Sequence, residues 1–366
     1  MTFDRFMELA LYEPGLGYYA TLPGDAAGRP SALADFQTSP QVHPGFGYLV
    51  ARQLHQFWEA LGRPEPFVVV ELGAGAGELA AQIMEGLAEL VEAPRIEYHA
   101  VDSRGGARPT AQAAPSAESA GRAAARSLAS AAVTLLADPR LTWWPSLEDL
   151  RRASVRAHCV LSNEFFDALP VHRVAWIGGA LRELYVDWSG RGFVERVGDP
   201  SDEALRQWIE ESDAARPEGW RGEVCLRLEP VLAAISGLID RGSVLTLDYG
   251  STTADGDAAE RADGTLLAYH RHQWSDDIFR RVGQQDLTSH VDFGAMVRLG
   301  RRVGLEPVFL TTQRDFLLRL GLADETERWI SREATAGRRW QARWALAELI
   351  RSAGLGRLKV LVQQRV

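Results

Sequence analysis

The chain has 366 residues, of which 46% are hydrophobic and 24% charged, which is enough for two domains or for one large core with an insertion. Its formal net charge of -9 lacks the basic balance that binding to a nucleic-acid backbone normally requires. No apolar run approaches the ~20 residues of a transmembrane helix, and two cysteines cannot build a disulfide framework. We therefore expect a bacterial cytoplasmic protein with no nucleic-acid partner and no membrane insertion. Since the histidines and cysteines lack metal-ligand spacing, we expect no metal site.

The first 62 residues predict an N-terminal helical cap. Residues 3–12 have an amphipathic helical pattern that ends at Pro14, and a second helix is predicted from Thr38 or Ser39 to Leu61. Two interpretations of Phe36 and Thr38 stay open. They either belong to a packing element or form a lid over a bound cofactor.

A glycine-rich turn follows the first predicted strand, at residues 67–72. Gly73, Gly75 and Gly77 come directly after this strand and before a helical pattern, which is typical of a nucleotide-binding turn. A dinucleotide fingerprint would place its third glycine where this chain has Glu78. The spacing therefore favours another adenosyl ligand.

Two acids at strand ends indicate which adenosyl ligand this is. Glu71, beside the turn, suits the amino group of the methionine portion of S-adenosylmethionine and would repel a pyrophosphate. Asp102 ends the second predicted strand, residues 96–101, where a carboxylate can accept hydrogen bonds from ribose hydroxyls. Trp143 and Trp144, at the end of the third strand, are candidates for stacking on adenine.

The rest of the chain, residues 63–366, predicts one Rossmann-like domain with a doubly wound, mostly parallel sheet. Residues 104–137 are rich in alanine and are interpreted as a flexible surface segment. Short alternating strands over residues 171–197 predict an inserted antiparallel β-meander. A fourth buried strand, residues 158–162, ends at Asn163 and Glu164, on the rim where ligands bind in open α/β sheets.

The chain resembles the MidA family of S-adenosylmethionine-dependent methyltransferases, whose mitochondrial members are complex I assembly factors. Six blocks carry this resemblance in the family's order. They are residues 14–19, 35–40, 71–77, 163–170, 247–250 and 286–293. The resemblance implies a class I methyltransferase fold, S-adenosylmethionine as donor, and an arginine of a partner protein, similar to a complex I subunit, as acceptor.

Two carboxylates could grip a guanidinium group and aim one of its nitrogens at the methyl group. Glu164 is the first candidate and Asp167 the second, although both could instead be acids that stabilise the start of a helix. His290 could orient the acceptor or guide a proton, or it could be a structural hydrogen-bonding residue.

The residues predicted to bind the cofactor lie in the N-terminal segment, the glycine turn and two strand ends. They are Thr38, Glu71, Gly73, Gly75, Gly77, Asp102 and Asn163. Two other functions stay open. One is a cofactor-binding assembly chaperone without turnover, and the other is a nicotinamide-dependent oxidoreductase.

Overall fold

The computed structural model describes residues 1–21, 38–102, 138–212, 216–252, 263–271 and 273–366. The predictions for Phe36 and for the alanine-rich segment 104–137 lie outside these residues.

The described strands are numbered here in chain order. They are β1 (Phe67–Leu72), β2 (Ile96–Val101), β3 (Leu141–Trp144), β4 (Cys159–Asn163), β5 (His172–Ile177), β6 (Ala180–Trp188), β7 (Phe193–Gly198), β8 (Arg221–Val224), β9 (Gly242–Asp248), β10 (Gly250–Ser251), β11 (Leu267–His270), β12 (Gln273–Ser275), β13 (Asp286–Thr288), β14 (Val291–Asp292), β15 (Glu306–Thr312) and β16 (Lys359–Arg365).

The described helices are numbered in the same way. They are α1 (Phe3–Tyr12), α2 (Tyr18–Thr21), α3 (Ser39–Val42), α4 (Gly45–Ala60), α5 (Glu78–Ala88), α6 (Leu147–Arg152), α7 (Glu203–Glu211), α8 (Leu228–Leu238), α9 (Phe293–Arg302), α10 (Gln313–Arg319), α11 (Leu322–Arg332) and α12 (Ala336–Leu349). Two short 3-10 turns, Phe166–Ala168 and Leu355–Arg357, complete the regular structure of these residues.

A seven-stranded sheet has the strand order β15-β16-β9-β4-β1-β2-β3. The five strands from β9 to β3 pair in parallel, while β16 is antiparallel to both β9 and β15. Because the chain order reverses between β1 and β4, their carboxyl ends open a crevice where such sheets bind ligands. The predicted Rossmann-like α/β fold is confirmed.

The main sheet is covered on both faces, as its nearly continuous apolar strands require. Phe67 and Val69 of β1 pack in one buried cluster with residues of α4 and α5. Val70 and Leu72, on the opposite face, pack in a second cluster with residues of α8 and α9. This alternation fixes the position of β1, and therefore of the turn that follows it.

The predicted antiparallel insertion forms β5 to β7, and one more strand belongs to it. The sheet order is β7-β6-β5-β8, and β8 comes from Arg221–Val224, beyond the predicted limits of 171–197. Its partner β5 pairs with β8 from His172 to Ala175. Sequence spacing did not indicate this strand because α7 separates it from the meander.

The N-terminal residues do not pack as one layer. Helix α1 packs in a third buried cluster with β6 and β13. Arg227 donates two hydrogen bonds to the carboxylate of Asp4 on this helix. Helix α4 instead contributes to the core on the main sheet. The short α3 is separate from α4 because His43, which precedes Pro44, is extended, as residues before proline usually are.

Three helices, α10 to α12, follow one another between Gln313 and Leu349. Gly321 has a φ of 96° and separates α10 from α11. The hydroxyl of Thr335 accepts a hydrogen bond from the Arg338 amide and starts α12. Within the described part of the chain, no helix combines the length and apolar character needed to cross a membrane.

Candidate active site

The glycine turn after β1 requires glycine at two positions at least. Gly73, Gly75 and Gly77 have φ values of 69°, 60° and 85°, in the region that side chains disfavour. A Cβ atom on Gly73 would lie 3.0 Å from the ring of Phe165, and one on Gly77 would lie 3.2 Å from the ring of Trp143. The turn therefore keeps its backbone open at the carboxyl end of β1.

Glu71 is a buried carboxylate directly before this turn. The hydroxyl of Tyr98 on β2 donates to Glu71 Oε2 at 2.8 Å. Burial raises the pKa of Glu71 to about 8, and the nearby carboxylates of Glu78 and Asp102 add to this effect. A cationic group that binds here would favour the ionised form of Glu71.

Asp102, directly after β2, helps to shape the turn. Its Oδ2 atom accepts a hydrogen bond of 2.9 Å from the Gly75 amide. A carboxylate offers about four acceptor positions, so this bond is compatible with additional hydrogen bonds from a ligand. The structure thus places Asp102 beside the glycine turn, and its predicted contact with ribose stays a prediction.

The two tryptophans of β3 differ in their surroundings. Trp143 packs against Gly77, and its indole N–H is buried without an acceptor among the described residues. Trp144 instead donates to His99 Nδ1 at 2.9 Å. Of the two, only Trp143 is adjacent to the glycine turn.

Asn163 and Glu164 lie on the neighbouring strand end, across the crevice from Gly73. Asn163 Nδ2 donates to Glu164 Oε1 at 3.0 Å, whereas Asn163 Oδ1 is buried with no donor in the described part of the chain. The Ser39 amide also approaches Glu164 Oε1, at 3.4 Å. Thr38 therefore lies one residue from a direct contact with this strand end.

Asp248 positions the turn that carries both predicted catalytic acids. It is fully buried at the end of β9, where its Oδ2 accepts from the amides of Phe165 and Phe166 at 3.1 and 2.8 Å. Glu164 has a φ of 53°, a left-handed conformation that is unfavourable for a residue with a side chain. Asp248 therefore lies buried beneath the turn that it holds.

Three buried carboxylates, those of Asp167, Asp248 and Asp286, and the half-buried carboxylate of Glu164 form one group that we call the acid cluster. Burial raises the pKa of Glu164 to about 8, and the charge of Asp167 raises it further. Burial likewise raises the pKa of Asp248 to about 7 and raises that of Asp167 well above its usual value, with repulsion from Asp248 and Asp286 adding to the latter. The cluster is thus poised to ionise when a cation enters.

Sequence reasoning missed Asp286 and two tyrosines of this site. Asp286, on β13, is fully buried, and the Tyr19 hydroxyl donates to its Oδ2 at 3.0 Å. Tyr12, whose ring stacks on that of Tyr19, donates its hydroxyl to the Ala168 carbonyl at 2.8 Å. The available signal was that Tyr19 and Asp286 both lie in blocks that carry the family resemblance.

His290 lies beside the acid cluster, directly before β14. Its amide donates to the Thr265 hydroxyl at 2.9 Å, and its ring centroid is 6.4 Å from that of Tyr249. The preceding Ser289 amide donates to the Asp167 carbonyl at 2.9 Å. The backbone therefore joins the segment of Asp167 to that of His290, and the catalytic role of His290 stays a prediction.

These features fit S-adenosylmethionine, which carries a sulfonium, an amino group and an adenosine. The open glycine turn gives access to the backbone, buried Glu71 suits a cation, and Asn163 Oδ1 can accept from a donor. Together with the sheet order, the site defines an S-adenosylmethionine-dependent methyltransferase of the Rossmann-like class. A model of the family described as "Putative S-adenosyl-L-methionine-dependent methyltransferase" matches residues 49–310, and the chain belongs to this family. The resemblance to the MidA family is confirmed.

Similar proteins agree with this class. A structure from Burkholderia thailandensis bound to S-adenosyl-homocysteine has a TM-score of 0.79 and 29% sequence identity, covering 100% of this chain and 88% of that one. The mitochondrial protein arginine methyltransferase NDUFAF7 of Rattus norvegicus is 30% identical over 339 residues, 88% of this chain and 71% of that protein. The Drosophila melanogaster homolog is 29% identical over 79% of this chain, which spans 64% of that relative's length.

Proposed function

We propose that this methyltransferase modifies an arginine of a partner protein. The main support is the acid cluster, in which half-buried Glu164 and buried Asp167 lie near each other after the carboxyl end of β4. The names of the similar proteins, protein arginine methyltransferases, add to this support. Both observations favour a cationic acceptor.

A guanidinium group matches the cluster in charge. The pKa values of Glu164 and Asp167 are raised by burial and by neighbouring carboxylates. A bound cation relieves that repulsion, and the planar guanidinium donates hydrogen bonds that a pair of carboxylates can accept. Phe165, which follows Glu164, packs against Gly73, so a cation held by the acid cluster would lie at the same edge of the sheet as the glycine turn.

The residues that would hold the donor are Glu71, Asp102, Asn163 and the glycine turn. When bound, S-adenosylmethionine supplies an electrophilic methyl group for an in-line displacement. The protein's part is to align the acceptor and exclude water. Glu164, ionised against the bound guanidinium, is the group placed to take up the proton that the acceptor nitrogen releases on methylation.

The test compares the wild-type protein with Glu164→Gln. The purified proteins are incubated with a methyl-tritiated donor and a lysate of a strain that lacks this gene, and methylated amino acids are identified after acid hydrolysis. We expect the wild-type protein to place label in methylarginine. Glu164→Gln should lose labelling by about 10²-fold or more while keeping its affinity for S-adenosylmethionine within about threefold.

Glu210→Gln is the matched control, because Glu210 is an exposed carboxylate on α7. It should label the lysate at the wild-type rate. Label confined to lysine or to small molecules would refute the arginine acceptor. If the Glu164→Gln variant instead fully complemented the deletion strain, an assembly chaperone without turnover would be the better description.

A further inference from the structure

A hollow of about 340 Å³ opens beside the acid cluster. Its volume is near the lower end for ligand sites, which suits one or two amino-acid side chains. It lies where β9, β15 and β16 meet, and we call it the basic hollow. Its polar lining comes from Arg314, Arg357, Lys359, Thr312, Ser352 and Asp315.

Positive charge predominates in the basic hollow, with three cationic side chains against one carboxylate. That carboxylate, Asp315, already accepts a hydrogen bond of 2.8 Å from the Thr312 hydroxyl. Arg314 donates to the Ile350 carbonyl at 3.1 Å. Arg357 is exposed, and no salt bridge to it is found within the described ranges. The exposed Arg357 guanidinium therefore supplies positive charge to the hollow.

Lys359 is the only lysine in the printed sequence, where arginine supplies all other 39 of the 40 basic residues. An ammonium is a compact point charge, and an arginine fork is not equivalent to it. Lys359 begins β16 and pairs across the sheet with Asp248, the residue that positions the turn carrying Glu164 and Asp167, here called the acid turn. The chain thus places its only lysine ammonium group beside the site.

One tyrosine separates the two regions of opposite charge. Tyr249 lines the basic hollow and directly follows Asp248 of the acid cluster, and the Ser289 amide, next to His290, donates to the Asp167 carbonyl. His290 lines the same wall. A molecule that spans Tyr249 would therefore meet carboxylates at one end and cations at the other.

We propose that the basic hollow binds a carboxylate side chain of the acceptor protein, close in sequence to the arginine that enters the acid cluster. This inference rests on the proposed function and adds the specificity of the acceptor. Complementary charges at both ends fix the register of the acceptor segment, and a basic residue in place of the acidic one is repelled.

The first experiment uses synthetic peptide pools with one fixed arginine among uncharged residues. Each pool carries aspartate, alanine or lysine within a few residues of the arginine. Methylation and fluorescence-polarisation binding are both measured. We expect the aspartate pool to react about tenfold faster than the lysine pool, with the alanine pool between them. In Arg357→Glu this order should reverse, through KM and not through kcat.

Arg338→Glu is the control with the same charge change, at an exposed position in α12. It should keep the wild-type order. Methylation without any charge preference would overturn the anion subsite and leave the arginine activity intact. Binding that prefers aspartate and loses this preference in Arg357→Glu, without methylation, would support the subsite and refute the activity. If no peptide pool were bound or methylated, both the anion subsite and the arginine activity would be refuted.

The single lysine permits an independent test. Trace acetylation of the native protein, followed by mass spectrometry, reports the accessibility of Lys359. A saturating aspartate peptide should slow acetylation of Lys359 by about threefold or more, and an alanine peptide at equal occupancy should not. Equal protection by both peptides would place the acidic residue elsewhere and overturn the subsite.

Discussion

Replacement of Glu71 with glutamine should uncouple cofactor binding from pH. In the free protein the pKa of Glu71 is about 8, raised mainly by burial, so its carboxyl is mostly protonated at pH 6 to 7. If the group ionises against the cationic end of S-adenosylmethionine, binding must release its proton. One-proton linkage then weakens binding by up to about tenfold for each pH unit below the pKa.

Isothermal titration at pH 6.5, in buffers with different ionisation enthalpies, measures this release directly. The wild-type protein should release about one more proton per bound cofactor than Glu71→Gln does, since a group with a pKa of about 8 is almost fully protonated at that pH. Between pH 7 and 6 the affinity of the wild type should fall by up to about tenfold more than that of the variant.

The raised pKa of Glu71 should also make the stability of the cofactor-free protein depend on pH. A carboxyl whose pKa is raised on folding stabilises the folded state at pH values below its unfolded pKa, and this contribution is lost as the pH rises through the folded value. The wild type should therefore become less stable relative to Glu71→Gln between pH 5 and about 8. Equal proton release by both proteins, or parallel stability curves, would show that Glu71 does not carry this charge.

Two further substitutions test the supports of the site. Asp248→Asn should reduce the free energy of unfolding by about 1–3 kcal/mol, because the new amide cannot accept every backbone hydrogen bond that the carboxylate accepts. It should also lower kcat more than cofactor affinity. Chemical denaturation measures the stability and steady-state kinetics measures kcat, and an unchanged kcat would contradict the positioning role of Asp248. Gly77→Ala should lower the free energy of unfolding by about 1–2 kcal/mol, because alanine disfavours the left-handed conformation at this position. It should also weaken cofactor binding, since the new Cβ would crowd Trp143. Titration calorimetry measures the affinity, and an affinity equal to that of the wild type would contradict this reasoning.

Local signals in the sequence predicted the strand ends and the glycine turn because neighbouring residues determine them. Apolar β-branched residues form β1, and Gly73 and Gly77 follow where the backbone turns sharply. The same logic located Glu164 and Asp167, since the carboxyl ends of parallel strands meet at one edge. The S-adenosylmethionine cofactor followed from that edge and from the family resemblance.

Contacts between distant parts of the chain could not be predicted in this way. The hydrogen bond from Tyr19 to Asp286 joins residues that are 267 positions apart, and no spacing rule indicates it. The fourth strand of the inserted sheet, β8, was missed because α7 interrupts the alternating pattern. The left-handed backbone at Glu164 depends on Asp248, which holds the following turn from another strand.

That turn also affects how the protein could be engineered. Glu164 combines an unfavourable backbone conformation with a carboxyl group that would be more stable in water. Replacement of Glu164 with glycine would remove both penalties, and a screen for heat-resistant variants would therefore favour changes at the residue proposed to be needed for turnover. Thermostabilisation of this enzyme should accordingly leave the acid turn fixed and search the surfaces of α11 and α12 instead.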